Sequence, residues 1–191
     1  MKTRWKTRFL AAGALLLALV APPLPAQTRA THDYSGMKMQ MQLFETVLST
    51  ALKQRFGHPF SILQPAKGVY LEGFGVVFSV EANLYPMRFI SPFSPAPYSE
   101  KELKEAREQK PLRMKKAEEM VEELLRDHGP GLSFLRPDEN VAVAIHVFNP
   151  GELSDLPSQV VIQTKRQTLI DAAGQKLTAA EFRNKLSVVT F

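Results

Sequence analysis

The sequence of 191 residues contains no cysteine. This absence excludes disulfides, cysteine-based metal sites, thiol nucleophiles and redox pairs. A chain without such cross-links must be stabilised by its hydrophobic core. The roughly 165 residues that follow the first 26 are ample for one domain with a core of its own.

The sequence also has little excess of one charge sign once its first residues are set aside. The N-terminus, "MKTRWKTRFLAAGALLLALVAPPLPAQ", begins with four basic and no acidic residues, and an apolar run from Phe9 to Ala21 follows. Leu24 and Ala26 then stand where a signal peptidase reads its substrate. This order is typical of a secretory signal peptide. We therefore predict a signal peptide over residues 1–26 and an exported protein, located in the periplasm or outside the cell.

Removal of this segment leaves 20 basic and 19 acidic residues, so the mature chain has a net charge of only +1. Nucleic-acid binding needs a charge excess or a basic stripe, and neither remains. The apolar run has 13 residues, fewer than the roughly 18 that a membrane-spanning helix needs. We predict no nucleic-acid partner and no stable membrane span after cleavage.

Sequence signatures of catalysis are missing as well. The four histidines form no H-E-x-x-H pair, and G-x-S-x-G does not occur. We predict no metal and no cofactor, and we assign no catalytic residue. Three strand-associated groups (Glu72, Glu81 and His146) remain as candidates for a hydrolase that assembles its site in space rather than in sequence.

The most patterned stretch is "GVYLEGFGVVFSVEANL" at residues 68–84. Its two runs are rich in β-branched and aromatic residues, and Gly73 and Gly75 lie between them. Because a strand-forming run and not a helix follows the glycines, the pattern favours a β-hairpin over a phosphate-binding loop. Both faces of the runs are apolar, so we expect central strands. The preceding "PFSILQP" predicts a separate short strand.

Helical periodicity begins at Met37 and stops near Gly57, after a polar, flexible segment predicted over residues 27–36. "SEKE" forms a capping box with Ser99 as the N-cap of a long charged helix. Pro111 is expected to break or kink that helix. The part before Pro111 has few apolar residues, so it could project from the body or dock on another molecule.

The C-terminal third predicts further strands. "NVAVAIHVF" alternates strictly, "SQVVIQTKRQTLI" continues as a strand, and "LSVVTF" is the last one, after a short helix that Thr178 caps. The fold class is therefore α+β: residues 37–191 form a single compact domain, in which a mainly antiparallel or mixed sheet of about five to six strands packs with two or three helices.

Residues 86–98, "PMRFISPFSPAPY", hold four prolines and three aromatic residues. Such a segment can present Phe89, Phe93 and Tyr98 to a partner, or it can cross over the domain with these rings tucked in. We take these three residues as a candidate interaction surface.

These observations favour a non-enzymatic interaction module with an envelope or secreted protein as its partner. A small-molecule-binding domain and an extracytoplasmic hydrolase that uses carboxylates or His146 are the alternatives. The sequence leaves the oligomeric state open.

Overall fold

A computed structural model describes residues 34–56, 61–85, 99–149 and 151–191. They form one five-stranded mixed sheet with four α-helices, which confirms the predicted α+β class. In chain order the elements are α1 (Tyr34–Arg55), β1 (Ser61–Leu71), β2 (Gly75–Asn83), α2 (Glu100–His128), β3 (Asn140–Val147), β4 (Gln159–Lys165), α3 (Arg166–Ala173), α4 (Ala179–Asn184) and β5 (Ser187–Thr190), with short 3-10 turns at Gly129–Gly131 and Gly151–Leu153.

The strands lie in the order β1-β2-β3-β4-β5. β2 and β3 are parallel and are joined through α2, whereas the other three neighbouring pairs are antiparallel. β1 is therefore an edge strand, and the expectation that both hairpin strands are central is wrong for it. β1 also runs through Pro65 as one long strand. Pro65 lies where the register of this edge strand shifts, and proline is tolerated at such irregular edge positions.

One face of the sheet carries the core. Phe78 of β2, Val143 of β3 and Ile162 of β4 are fully buried on this face, where Leu48 of α1 and Leu125 of α2 join the same cluster. Leu169 of α3 and Phe182 of α4 complete it. All four helices thus bury their apolar stripes on one side of the sheet, as amphipathic helices do.

The hairpin between β1 and β2 is confirmed, with a turn over residues 72–74. Gly73 and Gly75 both have positive φ angles, 83° and 124°, a region in which other residues are strained. The strand at β3 and both capping boxes, at Ser99 and Thr178, are confirmed too.

The helices differ from the sequence expectation at three points. α1 begins at Tyr34, before the predicted start at Met37, and α2 runs without a break through Pro111. The predicted long strand ends at Lys165, and α3 follows. Its first residues bind the loop before β3, since the Arg166 N–H donates to the Glu139 carbonyl at 2.8 Å and the Gln167 N–H donates to the Pro137 carbonyl at 2.9 Å.

Candidate functional site

The second face of the sheet, which we call the open face, lies opposite the core. Two rows of neighbouring side chains cross it. The register pairs Val69 with Val77, Val77 with Ala142, and Ala142 with Gln163. The next row consists of Lys67, Ser79, Ala144, Val161 and Val189. At the two sides of the sheet, Val69 and Val189 are 52% and 45% exposed.

A recess interrupts this face beside the irregular part of β1. The register shifts twice between Ile62 and Lys67, and such bulges redirect side chains and create concavities. The resulting groove has a volume of about 360 Å³ and is lined by Gln64, Pro65, Lys67, Ser79, Val80, Glu81 and His146.

Glu81 and His146 are direct register partners on adjacent parallel strands. The sequence named both as candidates, and the fold brings them into one recess. Within the described ranges, neither side chain makes a hydrogen bond or ion pair. Both groups are thus available to a ligand, but no described side chain orients the imidazole as a catalytic base would be oriented.

The other predicted site residues do not join this recess. Glu72 lies in the hairpin turn, at the opposite end of β2 from Glu81. Phe89, Phe93 and Tyr98 lie outside the described residues.

The two edges of the sheet differ in their protection. At β1, the backbone N–H of Ala66 donates to Ser49 Oγ at 2.9 Å and that of Gly68 donates to Glu45 Oε1 at 2.8 Å. α1 side chains therefore bind two backbone N–H groups of this edge, and Pro65 offers no donor. At the opposite edge, the four residues of β5 are all exposed, and none is charged or a proline. Sequence alone could not identify an unprotected edge, because it does not give the strand order.

The N-terminal half of α2 is tied to the domain and does not project from it. Arg107 forms an ion pair of 2.5 Å with Asp155, and the buried Lys110 ammonium donates to Asn149 Oδ1. The same ammonium lies 5.9 Å from the centre of the Tyr85 ring, within reach of a cation–π interaction. Burial lowers the pKa of Lys110 from its ordinary 10.5 to about 8.

A second polar cluster, which the sequence reading missed, joins the end of β1 to the loop before β3. The buried Glu139 carboxylate accepts hydrogen bonds from the Tyr70 hydroxyl and the Arg136 N–H, each at 2.7 Å. Burial, and then the hydrogen bond to Glu139, raise the pKa of Tyr70 to about 12. Because the carboxylate is enclosed by its own partners, this cluster stabilises the fold rather than receiving a ligand.

The described ranges contain no group of three or more histidine, aspartate or glutamate side chains that could hold a metal ion. None of the helices in those ranges is long and apolar enough to cross a membrane. Comparison of the chain with protein-family models, curated proteins and solved structures found no match.

Proposed function

We propose that this chain is an exported, non-enzymatic interaction module that binds a protein partner on the open face of its sheet. One observation carries the proposal: the apolar band of the open face, in which Ala142 and Ala144 are buried, ends in exposed valines at both sides of the sheet, Val69 on β1 and Val189 on β5. Apolar surface that a monomer leaves uncovered is typical of a protein-binding site. An edge strand with unused backbone groups adds a second means of holding a polypeptide.

Two features favour binding over catalysis. Among the residues that the structure describes, no nucleophile is held against the Glu81–His146 pair by a hydrogen bond, and no third group orients the histidine. The pKa values of Lys110 and Tyr70 are strongly shifted. Lys110 is bound to Asn149 and Tyr70 to Glu139, so both side chains serve to hold the fold together. The signal peptide predicted over residues 1–26 supports export, and an envelope or secreted protein is then the expected partner.

Photo-crosslinking in the native host tests this proposal. We would replace Val69, on the open face, with p-benzoylphenylalanine, and use Leu112 on α2 as the matched control, because these residues are 52% and 55% exposed. We expect one dominant crosslinked protein from position 69 and none from position 112. The recovered chain should begin at Gln27 by mass spectrometry if export removes residues 1–26.

Equal crosslinking patterns from the two positions would contradict a binding role for the open face. A recovered chain that still begins at Met1 would contradict export by this signal, without bearing on the open face itself.

The recess favours a second candidate, a site for a small polar ligand. Lys67, Glu81 and His146 offer a cation, an anion and an imidazole around a volume of about 360 Å³. A set of amino acids, sugars and small carboxylates can be screened by thermal shift. Saturation at about 100 times Kd stabilises a protein by roughly 2.7 kcal/mol. We expect the rise in Tm to be lost in Glu81→Gln and His146→Ala but retained in Glu72→Gln. A rise that persists in all three variants would place the ligand elsewhere.

A further inference from the structure

The β5 edge has a defined set of unused hydrogen-bonding groups. Phe191 and Gln159 exchange two backbone hydrogen bonds, of 2.9 and 3.2 Å. Bonded and non-bonded pairs alternate along an antiparallel ladder. Val189 is therefore bonded to Val161, its register partner, while Val188 and Thr190 point their N–H and C=O groups away from β4.

Nothing in the described part of the chain occupies these groups. β5 is the last strand of the sheet order, and no turn, cap or side-chain hydrogen bond among the described residues reaches Val188 or Thr190. Natural proteins block such edges with charges, prolines, bulges or covering elements. The β1 edge has a proline, two bulges and a helix, whereas the β5 edge has none of these.

We infer that β5 pairs with β5 of a second copy, antiparallel about a two-fold axis perpendicular to the sheet. This inference deepens the proposed function, on which it rests, by naming one occupant of the exposed edge. The register follows from the geometry. If Val188 faces Thr190 of the second copy, both outward groups of each residue are used, and four hydrogen bonds form across the junction. Val189 then faces its own symmetry mate.

The register of the junction is self-complementary. A two-fold interface requires one surface to match itself, and the pairing of Val188 with Thr190 meets this requirement and keeps each side chain on its own face. The open face then continues across the junction as a band formed by Val161 and Val189 of both copies.

The charges around β5 are compatible with this arrangement. β5 carries no charge, so no like charges meet at the junction. Lys185, the nearest basic residue in sequence, precedes β5 by two residues. The two Lys185 residues are then about eight residue positions apart along the strand direction, roughly 26 Å at 3.3 Å per residue.

The helix side of the junction supplies further apolar contact. Val188 of the second copy lies beside Thr190, which borders a groove of about 250 Å³ between α2 and the start of β4. Pro111, Met114, Leu156 and Pro157 form its apolar walls. Because four residues a side form a small interface, we expect weak, readily reversible association.

A single introduced cysteine tests both the association and its register, since the chain has no cysteine of its own. Residues facing each other in a non-bonded antiparallel pair have Cα atoms about 4.5 Å apart, within the range for a disulfide. We expect purified Val189→Cys to form a disulfide-linked dimer at least about tenfold faster than Val69→Cys, which has similar exposure on the other edge. Val188→Cys serves as the register control, because residue 188 faces Thr190 of the second copy and the two introduced cysteines would not lie opposite each other.

Sedimentation of the cysteine-free protein gives an independent measurement. We expect a concentration-dependent monomer–dimer equilibrium that Val189→Lys shifts to monomer, with unchanged thermal unfolding of the monomer. Crosslinking of Val189→Cys no faster than Val69→Cys, or slower than Val188→Cys, would overturn the inference. If position 69 nevertheless captures a partner in the host, the proposed function stands and only self-association fails. If the Val189→Cys test fails and position 69 also captures no partner in the host, both the self-association and the proposed function fail.

Discussion

Gly75→Ala should lower the free energy of unfolding by more than about 4 kcal/mol, a loss that only severe structural conflicts produce. Gly75 is the first residue of β2 and the register partner of Asn140 at the start of β3. A Cβ atom at this position would lie 2.1 Å from the Asn140 carbonyl oxygen and 2.7 Å from its nitrogen. Both are backbone atoms, so no side-chain rotation can relieve the contact.

The expected loss of stability is large because Asn140 cannot move away from the added methyl group without breaking its own hydrogen bonds. The Asn140 N–H donates to the Phe74 carbonyl at 2.7 Å, and the Asn140 side-chain amide donates to the same oxygen at 3.1 Å. Moving Asn140 away from the new methyl group would break both bonds, and with them the start of the parallel β2–β3 pair.

Gly73→Ala is the matched control for this experiment. Its φ of 83° is also positive, but no atom lies within 4 Å of the added Cβ. We expect this variant to lose only the conformational cost of about 1–2 kcal/mol. Urea unfolding followed by circular dichroism measures both. Stabilities within about 1 kcal/mol of each other would show that the close approach at Asn140 does not determine the need for glycine.

Lys110→Met should remove a pH dependence of stability between pH 8 and 10. Burial lowers the pKa of Lys110 to about 8 in the folded state, against an ordinary value of 10.5. Between these values the unfolded chain binds more protons, so the stability of the wild-type chain should rise with pH. As the pH falls from 10.5 towards 8, the wild-type chain therefore loses stability by at most about 1.4 kcal/mol per pH unit, which is the limit for one proton. The variant has no such loss.

The measurement is the difference in unfolding free energy between wild type and variant at several pH values. Because the pKa of Tyr70 is raised to about 12, its ionisation lowers stability only above about pH 10, outside this window. Lys115→Met is the control, since it removes the same charge from an exposed position of α2. At pH 7 the variant loses both a desolvated cation and its contact with Asn149, so the slope of stability against pH, rather than the stability at one pH, is the test. Parallel pH profiles for wild type and Lys110→Met would contradict the burial argument.

Local sequence patterns predicted the parts of the fold that short-range physics determines. The glycines at 73 and 75 permit backbone angles that only a turn needs, so the hairpin could be identified without neighbours. Ser99 with Glu102 and Thr178 with Glu181 satisfy each other within one helical turn. The alternation at Val141, Val143 and Ile145 likewise gave β3 and its buried face.

The errors arose where distant residues decide the outcome. Thr168 and Ile170 are β-branched and favour a strand, but backbone contacts of Arg166 and Gln167 with the loop before β3 end the strand and start α3. Pro111 removes one hydrogen bond from α2. The helix persists because contacts on both sides hold it to the domain, among them that of Lys110 with Asn149 and that of Arg113 with the Leu84 carbonyl at 2.8 Å.

The candidate site was predictable only in part. Glu81 and His146 could be named from the sequence as rare polar groups in apolar strands, but their 65-residue separation concealed that they are neighbours. The contrast between the two sheet edges depends on strand order and on α1 side chains that reach β1, neither of which leaves a local pattern.

The protected β1 edge also sets a limit on stoichiometry. A sheet with two free edges could add copies end to end, and such open, head-to-tail contacts lead to filaments. Here Pro65, the bulges and the α1 side chains Glu45 and Ser49 occupy one edge, so pairing through β5 uses the edge that remains. If two copies pair through β5 as inferred, we therefore expect the assembly to stop at a closed dimer rather than to polymerise.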